Sequence, residues 1–489
     1  MLFRQIFDPA LAQYAYLVGC QKTGEALVID PERDIDRYVD LAKAEGLTIT
    51  AATETHIHAD FLSGARELAE RFGAKVYVSA EGGPDWQSEW AKESTYDVTF
   101  LRDGDTFRVG NIEIHAVHTP GHTPEHLSYL VTDLGGGATT PIGIATGDFV
   151  FVGDLGRPDL LEQAAGLHGV QEPSARTLFA SLPRFTGLEE HLQVWPAHGA
   201  GSTCGKALGA VPITTVGYEK RYNASLNAAQ GGEDAFVKAI LDGQPEPQMY
   251  FARMKRDNKL GVPLLPGGRL PQPRPLRADE IADVLGTPGL VVLDGRADRA
   301  AFMNAHLPGS LAAPVGKMFS NVVGSLVADE TSPLLVVVEA GKMDEVVRAL
   351  VRIGYDHIVA FVTPETLDVY LAAGGAYASI PRIATKDLAV AMAQQPEAVV
   401  VDVRFATEYA AAHVPGAVNA SYTRLPQYAG ERLPGTDTPL LVHCLSGARS
   451  AAAASYLARL GYDVTHVDGP FAEFTGAVET DAPTLAVTH

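Results

Sequence analysis

The chain has 489 residues, which at roughly 150 per domain suggests about three domains and excludes a single small module. Lysine plus arginine number 38 against 59 aspartates and glutamates, a formal charge of −21 that repels phosphate backbones and argues against nucleic acid as a partner. Hydrophobic residues at 46% and charged residues at 20% match an ordinary soluble globular protein.

Met1 to Val18 contains Asp8 and several polar residues where a signal peptide needs an unbroken apolar stretch. No later apolar run approaches the roughly 18 residues of a membrane helix, so a cytoplasmic protein without a membrane partner is expected. Three cysteines make no disulfide framework, and each is a reactive thiol or a core residue. Cys20 lies in a strand-like run and is expected in the core. Leu47 to Thr53 reads as a strand, Phe61, Leu62, Ala65, Leu68, Ala69 and Phe72 repeat at helical spacing, and Lys75 to Ser79 reads as a strand again. Asn111 to His118 alternates apolar and polar, and Gly135-Gly136-Gly137 separates the strand-like runs Leu127 to Val131 and Ile142 to Ala145. This is α/β material, and it predicts a first domain over residues 1–256.

Asp257 to Arg277 holds five prolines and three glycines, a composition that predicts a semi-rigid linker over 257–277. Beyond it lies an internal repeat. Val291 to Arg296 is echoed by Val400 to Arg404, His306-Leu307-Pro308-Gly309 by His413-Val414-Pro415-Gly416, and Arg352 to Asp356 by Arg459 to Asp463. Two copies of one α/β unit of about a hundred residues are therefore expected, over 278–380 and 381–489.

Thr55-His56-Ile57-His58-Ala59-Asp60-Phe61 follows a predicted strand, so His56 and His58 project from a strand-end loop where side chains can converge on an ion. His122 sits in the turn Thr119-Pro120-Gly121-His122-Thr123. Asp148 closes Ala145-Thr146-Gly147-Asp148, and His198 stands in Trp195-Pro196-Ala197-His198-Gly199. One such histidine alone reads equally well as a hydrogen-bonded loop residue; four strand ends carrying imidazole or carboxylate groups read as a metal site.

With these motifs, residues 1–256 resemble the metallo-β-lactamase fold, an α/β protein built as an αββα sandwich, and within it the persulfide dioxygenase branch. That family's pattern is His-x-His-x-Asp-His, then a Thr-Pro-Gly-His turn and a Thr-Gly-Asp strand end. In hydrolases of the fold the last histidine of the first motif holds a second metal. Here that position is Phe61, and a phenyl ring donates no lone pair. The resemblance implies one Fe(II) per chain on His56, His122 and Asp148, the set of two imidazoles and one carboxylate suited to mononuclear iron. His58, Asp60 and His198 would orient those ligands or hold a water. It also implies an arginine near the thiol substrate at Arg157, where a guanidinium can pair with a carboxylate; a surface ion pair is the plain alternative. Tyr218, Lys220 and Arg221 are weaker candidates for the same task, on what otherwise reads as a solvated helix face. Cys204, six residues past His198, would face the mouth of the metal pocket as a relay thiol, or else pack in the core.

The second copy of the repeat contains Leu441-Val442-His443-Cys444-Leu445-Ser446-Gly447-Ala448-Arg449-Ser450, then an alanine-rich helical stretch. A cysteine at a strand end, before a short loop and a helix N-terminus, can cradle an anion or a persulfide. With Asp402-Val403-Arg404 and His413-Val414-Pro415-Gly416 upstream, this copy resembles a rhodanese domain, which implies Cys444 as the sulfur carrier and Arg449 as part of its site. The first copy reads Val336-Val337-Val338-Glu339-Ala340-Gly341-Lys342 there and has no cysteine, which predicts an inactive rhodanese-like domain serving as spacer or docking surface. Asp294, His306, Asp402 and His413 are expected as structural hydrogen-bonders.

The resemblance as a whole implies an α/β chain of a metallo-β-lactamase sandwich followed by two rhodanese-like domains. It would oxidise a low-molecular-weight persulfide to sulfite and thiol, coupled to sulfur transfer between sulfite and thiosulfate. Its small-molecule partners would be the persulfide, oxygen, and sulfite or thiosulfate, with a homo-oligomer allowed. Which thiol carries the sulfur, glutathione, coenzyme A or another, is left open. The alternatives are a glyoxalase-type zinc thioester hydrolase with a sulfurtransferase tail, and a non-catalytic sulfur-carrier scaffold.

Overall fold

The structure, a computed structural model, describes residues 1–92, 94–163 and 169–481. Residues 482–489 of the expected last domain lie outside the described residues. Two units are distinguished, residues 1–270 with 351–353, and residues 271–350 with 354–489. No helix of the described residues is long and apolar enough to cross a membrane.

The first unit is built on two six-stranded sheets. One holds, in spatial order, β1 (Leu2–Asp8), β2 (Gln13–Cys20), β3 (Glu25–Ile29), β4 (Thr48–Thr53), β5 (Lys75–Ser79) and β6 (Val98–Leu101). The strands β3 to β6 are parallel, and helices Asp36–Ala44 and Ala65–Phe72 supply the crossovers that β3–β4 and β4–β5 neighbours require. The other holds β7 (Thr106–Val109), β8 (Ile112–His118), β9 (Leu127–Asp133), β10 (Gly143–Gly147), β11 (Gln193–Pro196) and β12 (Thr214–Thr215), again as neighbours in sequence order.

Alternating side chains explain the layering. Tyr16, Val18, Leu27 and Ile29 of the first sheet meet Ile112, Ile114, Tyr129, Val131 and Trp195 of the second in a central core. On the outer side of the first sheet, Leu17, Val28, Ala52, Val76 and Val78 are covered by Tyr38, Ala42, Leu68 and Ala69 of the crossover helices. Beyond the second sheet, Ile144 and Val194 pack under Leu178, Leu182 and Phe185 of helix Gln171–Thr186 and under Phe236 and Ile240 of helix Glu233–Leu241. The result is a helix, sheet, sheet, helix sandwich, and β2 is buried along its whole length because both its faces are covered.

Two details differ from the sequence expectation. The helix expected from Phe61 begins at Ala65; Phe61 and Leu62 are buried in the preceding loop, so their spacing reflects burial and not helical phase. The expected linker is regular at both ends: residues up to Leu260 belong to helix Phe251–Leu260, and Arg274–Pro275 form β13 on a sheet edge, where proline is tolerated.

The second unit contains β13, β14 (Val291–Asp294), β15 (Leu311–Ala312), β16 (Leu334–Val337) and β17 (Ile358–Val362), then β18 (Arg382–Ala384), β19 (Val399–Asp402), β20 (Val418–Asn419), β21 (Leu440–His443) and β22 (Val464–Asp468). They form two parallel sheets of identical order, β13-β17-β16-β14-β15 and β18-β22-β21-β19-β20, so the sequence repeat is a repeat of topology. Asp294 pairs with Val337 as Asp402 pairs with His443; Val338 therefore stands where the second copy has Cys444.

Candidate metal centre and sulfur-carrier loop

The carboxyl ends of β4, β8, β10 and β11 lead into Thr55-His56, His122, Asp148 and His198, and all four of these titratable side chains are buried. Ligand atoms of His56, His122 and Asp148 lie within 4.8 Å of one another. His122 Nε2 is 3.5 Å from Asp148 Oδ2, and the rings of His56 and His122 meet edge to face at 4.9 Å.

Hydrogen bonds behind the site set the tautomers. The Thr55 hydroxyl donates to Asp30 Oδ2 at 2.9 Å, so at 3.0 Å it accepts the proton of His56 Nδ1. His122 Nδ1 donates to the Arg157 carbonyl at 2.9 Å. Both imidazoles are thereby turned with Nε2 as the free lone pair. His126 accepts the Asp148 backbone N–H at Nε2, 3.1 Å, and its Nδ1 donates to Thr119 Oγ1 at 2.8 Å, which holds the Asp148 turn. Gly121 carries φ +143, and a Cβ there would stand 2.5 Å from Leu178, so the turn that presents His122 lies flush on helix Gln171–Thr186. Among the described residues, the two non-glycine residues with positive φ both support this region. Asp30 also accepts the Thr55 N–H at 2.6 Å, and the Ala12 carbonyl lies 3.3 Å from His198 Nδ1.

A metal fits this donor set. Both Asp148 carboxylate oxygens, Asp60 Oδ2 and His198 Nε2 are buried without a hydrogen-bond partner, a costly state that an ion would relieve. Burial and the neighbouring imidazoles hold His56 well below the usual histidine range; burial, with the charge of Lys255, does the same to His122. Both rings are neutral ligands at neutral pH. Burial raises Asp148 to about 6 against the attraction of His198, leaving it an anion at pH 7.

The remaining candidates divide. Asp60, His198 and Cys204 form a second group with ligand atoms within 4.8 Å, and burial pushes the Cys204 thiol well above its ordinary value. His58 turns instead to Asp30 (3.2 Å) and Glu54 (2.9 Å), two carboxylates that outweigh burial and keep it protonated, while its ring packs on Phe61 at 4.3 Å. Arg157 is neither a surface pair nor free for a substrate. Its guanidinium is buried, takes both oxygens of Asp159 at 2.8 and 2.6 Å, and donates to the Thr203 carbonyl at 3.1 Å; what it offers the site is its backbone carbonyl. Tyr218 and Arg221 lie on the exposed face of helix Val216–Tyr222, whose other face buries Val216 and Glu219, with Lys220 and Arg221 both turned to Glu190. Cys20 is buried in β2. Sequence reasoning missed Asp30, His126 and Lys255. Lys255, half-buried on helix Phe251–Leu260, stacks over Trp86 at 4.7 Å, and burial lowers it to about 8 despite Glu125 and Asp148.

In the second unit Cys444 is buried directly after β21, and the Gly447 N–H points at its Sγ at 3.2 Å. Gly447 has φ +89 and opens helix Ala448–Arg459. The Arg449 guanidinium binds Glu408 through both terminal nitrogens at 2.5 and 2.8 Å, beside Phe405. From the first copy, Arg299 Nη2 reaches the Ser446 carbonyl at 3.2 Å and Asp468 at 3.0 Å, so the copy without cysteine braces the loop of the copy that has one. Asp294 and Asp402 grip Arg296 and Arg404, and His306 and His413 donate to the carbonyls of Phe302 and Tyr409, the same bonds in both copies.

The family model of the metallo-beta-lactamase superfamily matches residues 8–198, and that of the rhodanese-like domain matches residues 385–477. The chain is 37% identical to a metallo-beta-lactamase from Staphylococcus aureus subsp. aureus COL, whose crystal structure matches with a TM-score of 0.64 over 74% of this chain and 98% of that one. It is 26% identical over 267 residues to the mitochondrial persulfide dioxygenase ETHE1 of Bos taurus, covering 54% of this chain and 89% of that protein. To a probable metallo-hydrolase of Burkholderia pseudomallei it is 27% identical over 308 residues, 56% of this chain and 95% of that protein.

Proposed function

Because the chain belongs to the metallo-beta-lactamase superfamily and carries a rhodanese-like domain behind that fold, we propose that it is a persulfide dioxygenase joined to a sulfurtransferase. In the first reaction one persulfide, one dioxygen and one water give one thiol, one sulfite and two protons. In the second, sulfite takes the outer sulfur of a persulfide to give thiosulfate and thiol.

The observation that carries the reading is the donor set: His56 and His122 with Nε2 free and Asp148 with both oxygens unpartnered, while Phe61 brings no donor where the hydrolases carry one. Resemblance to a persulfide dioxygenase over most of that relative's length supports it. Iron(II) on these residues would supply a redox-active centre with open positions for substrate. The chain's own part is to keep the imidazoles neutral and oriented through Thr55 and Arg157, to leave Asp148 an anion at pH 7 with both oxygens unpartnered, and to keep bulk water away by burial. Cys444 carries sulfane sulfur by attacking the outer sulfur of the donor and releasing the thiol, with loop N–H groups such as that of Gly447 facing the sulfur. The first rhodanese-like copy, lacking the thiol, acts through Arg299 as a brace. The domain plan is 1–256, a linker at 257–277, 278–380 and 381–489, in the cytoplasm, with Cys204 as a relay thiol beside the metal.

A second reading rests on Asp60, His198 and Cys204, which could hold a second metal and make a zinc thioester hydrolase. Metal analysis with an oxygen electrode separates the two. One iron per chain, oxygen uptake with glutathione persulfide and negligible cleavage of lactoylglutathione are expected. Two zinc ions per chain with rapid thioester cleavage would overturn the proposal in favour of the hydrolase, and inactivity in both assays would leave a sulfur-carrier scaffold.

A further inference from the structure

A cleft of about 550 Å³ opens beside the histidine loop, in the size range of a small-molecule site. Its wall includes Ile57, the residue between His56 and His58, together with Trp86, Lys255, Arg256 and Lys259; among the described residues Asp85 is the one acidic residue lining it. Three cations against one carboxylate is the reverse of a chain whose formal charge is −21. Two of the cations already have anionic partners. Arg256 pairs with Asp257 at 2.8 Å and Lys259 with Glu89 at 3.1 Å. Lys255 forms no close ion pair among the described residues, with the Glu125 and Asp148 carboxylates acting on it only from farther off; its ammonium lies over the Trp86 ring. It shares the cleft wall with Ile57, the residue between His56 and His58, which brings the cleft to the loop that carries a proposed metal ligand.

The arginines that the sequence offered for substrate binding are committed elsewhere, Arg157 to Asp159 and Arg221 to Glu190 on an exposed helix face. We propose that this cleft is the binding site for the body of an anionic persulfide, with Lys255 holding a carboxylate or phosphate oxygen and Trp86 packing on the apolar part. Lys255 would thereby set the preference for persulfides that carry negative charge away from the sulfur over uncharged ones. The reacting sulfur and its chemistry rest on the dioxygenase reading; the anion site does not.

The test uses the full-length iron-loaded protein, K255M and K255R, and three persulfides: of glutathione, with carboxylates; of coenzyme A, with phosphates; and of 2-mercaptoethanol, uncharged. K255M is expected to raise KM for at least one charged persulfide about tenfold with kcat within twofold, the loss of one charge-assisted hydrogen bond. The kcat/KM preference for that persulfide over the uncharged one should fall by the same factor, and K255R should recover most of it. The charged persulfide that shifts identifies the anion as carboxylate or phosphate. Equal losses on all three substrates, or no change on any, would overturn the proposal. Calorimetric titration with the corresponding thiols needs no turnover. If the protein consumes no oxygen with any persulfide, the dioxygenase reading falls, while a tenfold weaker Kd for a charged thiol in K255M still supports the anion site. Equal affinity of the wild type and K255M for the charged thiols would overturn it.

Discussion

In the proposed function, His122 and Cys444, which lie in different units, each carry one of the two chemistries. Replacing His122 by alanine removes one of three donors whose Nε2 is aimed by a single hydrogen bond, so iron binding should fail and oxygen uptake drop by about a hundredfold or more. Thiosulfate sulfurtransferase activity should persist, and joint loss of both activities would argue against independent sites. The reciprocal change, Cys444→Ser, keeps the size of the loop side chain but leaves a hydroxyl that cannot carry sulfane sulfur. Oxygen consumption should continue with sulfite as product, and transfer between thiosulfate and a thiol should fall to the uncatalysed rate. Transfer surviving at the wild-type rate would remove Cys444 as the carrier and bring Cys204 forward. Oxygen uptake collapsing with iron still bound would mean that the two sites work in series.

At the scale of the element, both sites follow one design: a strand ends, a tight turn follows, and the functional group sits on the turn. Strand ends are held by the sheet ladder and vary little in position, whereas the turns are free to present side chains. The design depends on glycine at Gly121. A Cβ there would meet the Leu178 backbone and side chain at 2.5 Å, and φ +143 is a conformation that other residues adopt only under strain. Gly121→Ala should push the turn off helix Gln171–Thr186, destabilise the first unit by about 1–3 kcal/mol, and weaken metal binding at least tenfold. Thermal melting and metal titration measure the two effects. Unchanged metal affinity would show that His122 does not depend on that contact.

Over the whole molecule, the two units are expected to respond differently to acid. In the second unit His306, His443 and His466 are buried and held below the usual value, His466 at about 4. Their unfolded forms take up protons below about pH 6.5 while the folded forms resist, so stability rises with pH in that window and is lost on acidification. Each fully buried histidine contributes a slope of about 1.4 kcal/mol per pH unit. The first unit holds depressed histidines too, His126 at about 3, but Asp148 at about 6 and the raised Glu54 and Glu125 gain protons in the folded state first and oppose that slope. Hydrogen exchange followed by mass spectrometry between pH 7 and 4.5 should show protection falling first in peptides of the second unit. Earlier loss in the first unit would contradict this balance.

The sequence by itself determined the α/β character, the two-copy repeat and the placing of imidazole and carboxylate groups at strand ends, which follow from strand periodicity and tight turns, local properties that a chain carries wherever it goes. The αββα class and the grouping of His56, His122 and Asp148 came with the resemblance of those motifs to the metallo-β-lactamase fold. The sequence also revealed that only one copy holds a thiol, since absence of a cysteine is read directly. The tertiary structure alone decided which partner each charged group takes. Nothing near His58 in sequence marks Asp30 as its acceptor, Arg157 could equally have faced a substrate until Asp159 claimed one edge of its guanidinium and the Thr203 carbonyl the remaining nitrogen, and Arg299 meets Ser446 only because the two copies pack together. Lys255 belongs to the same class: it lies in a stretch that reads as the approach to a linker, and only folding brings its helix to Ile57 and Trp86. Such choices depend on where distant segments cross and on which charge loses its water first, and neither leaves a periodic signal in the chain.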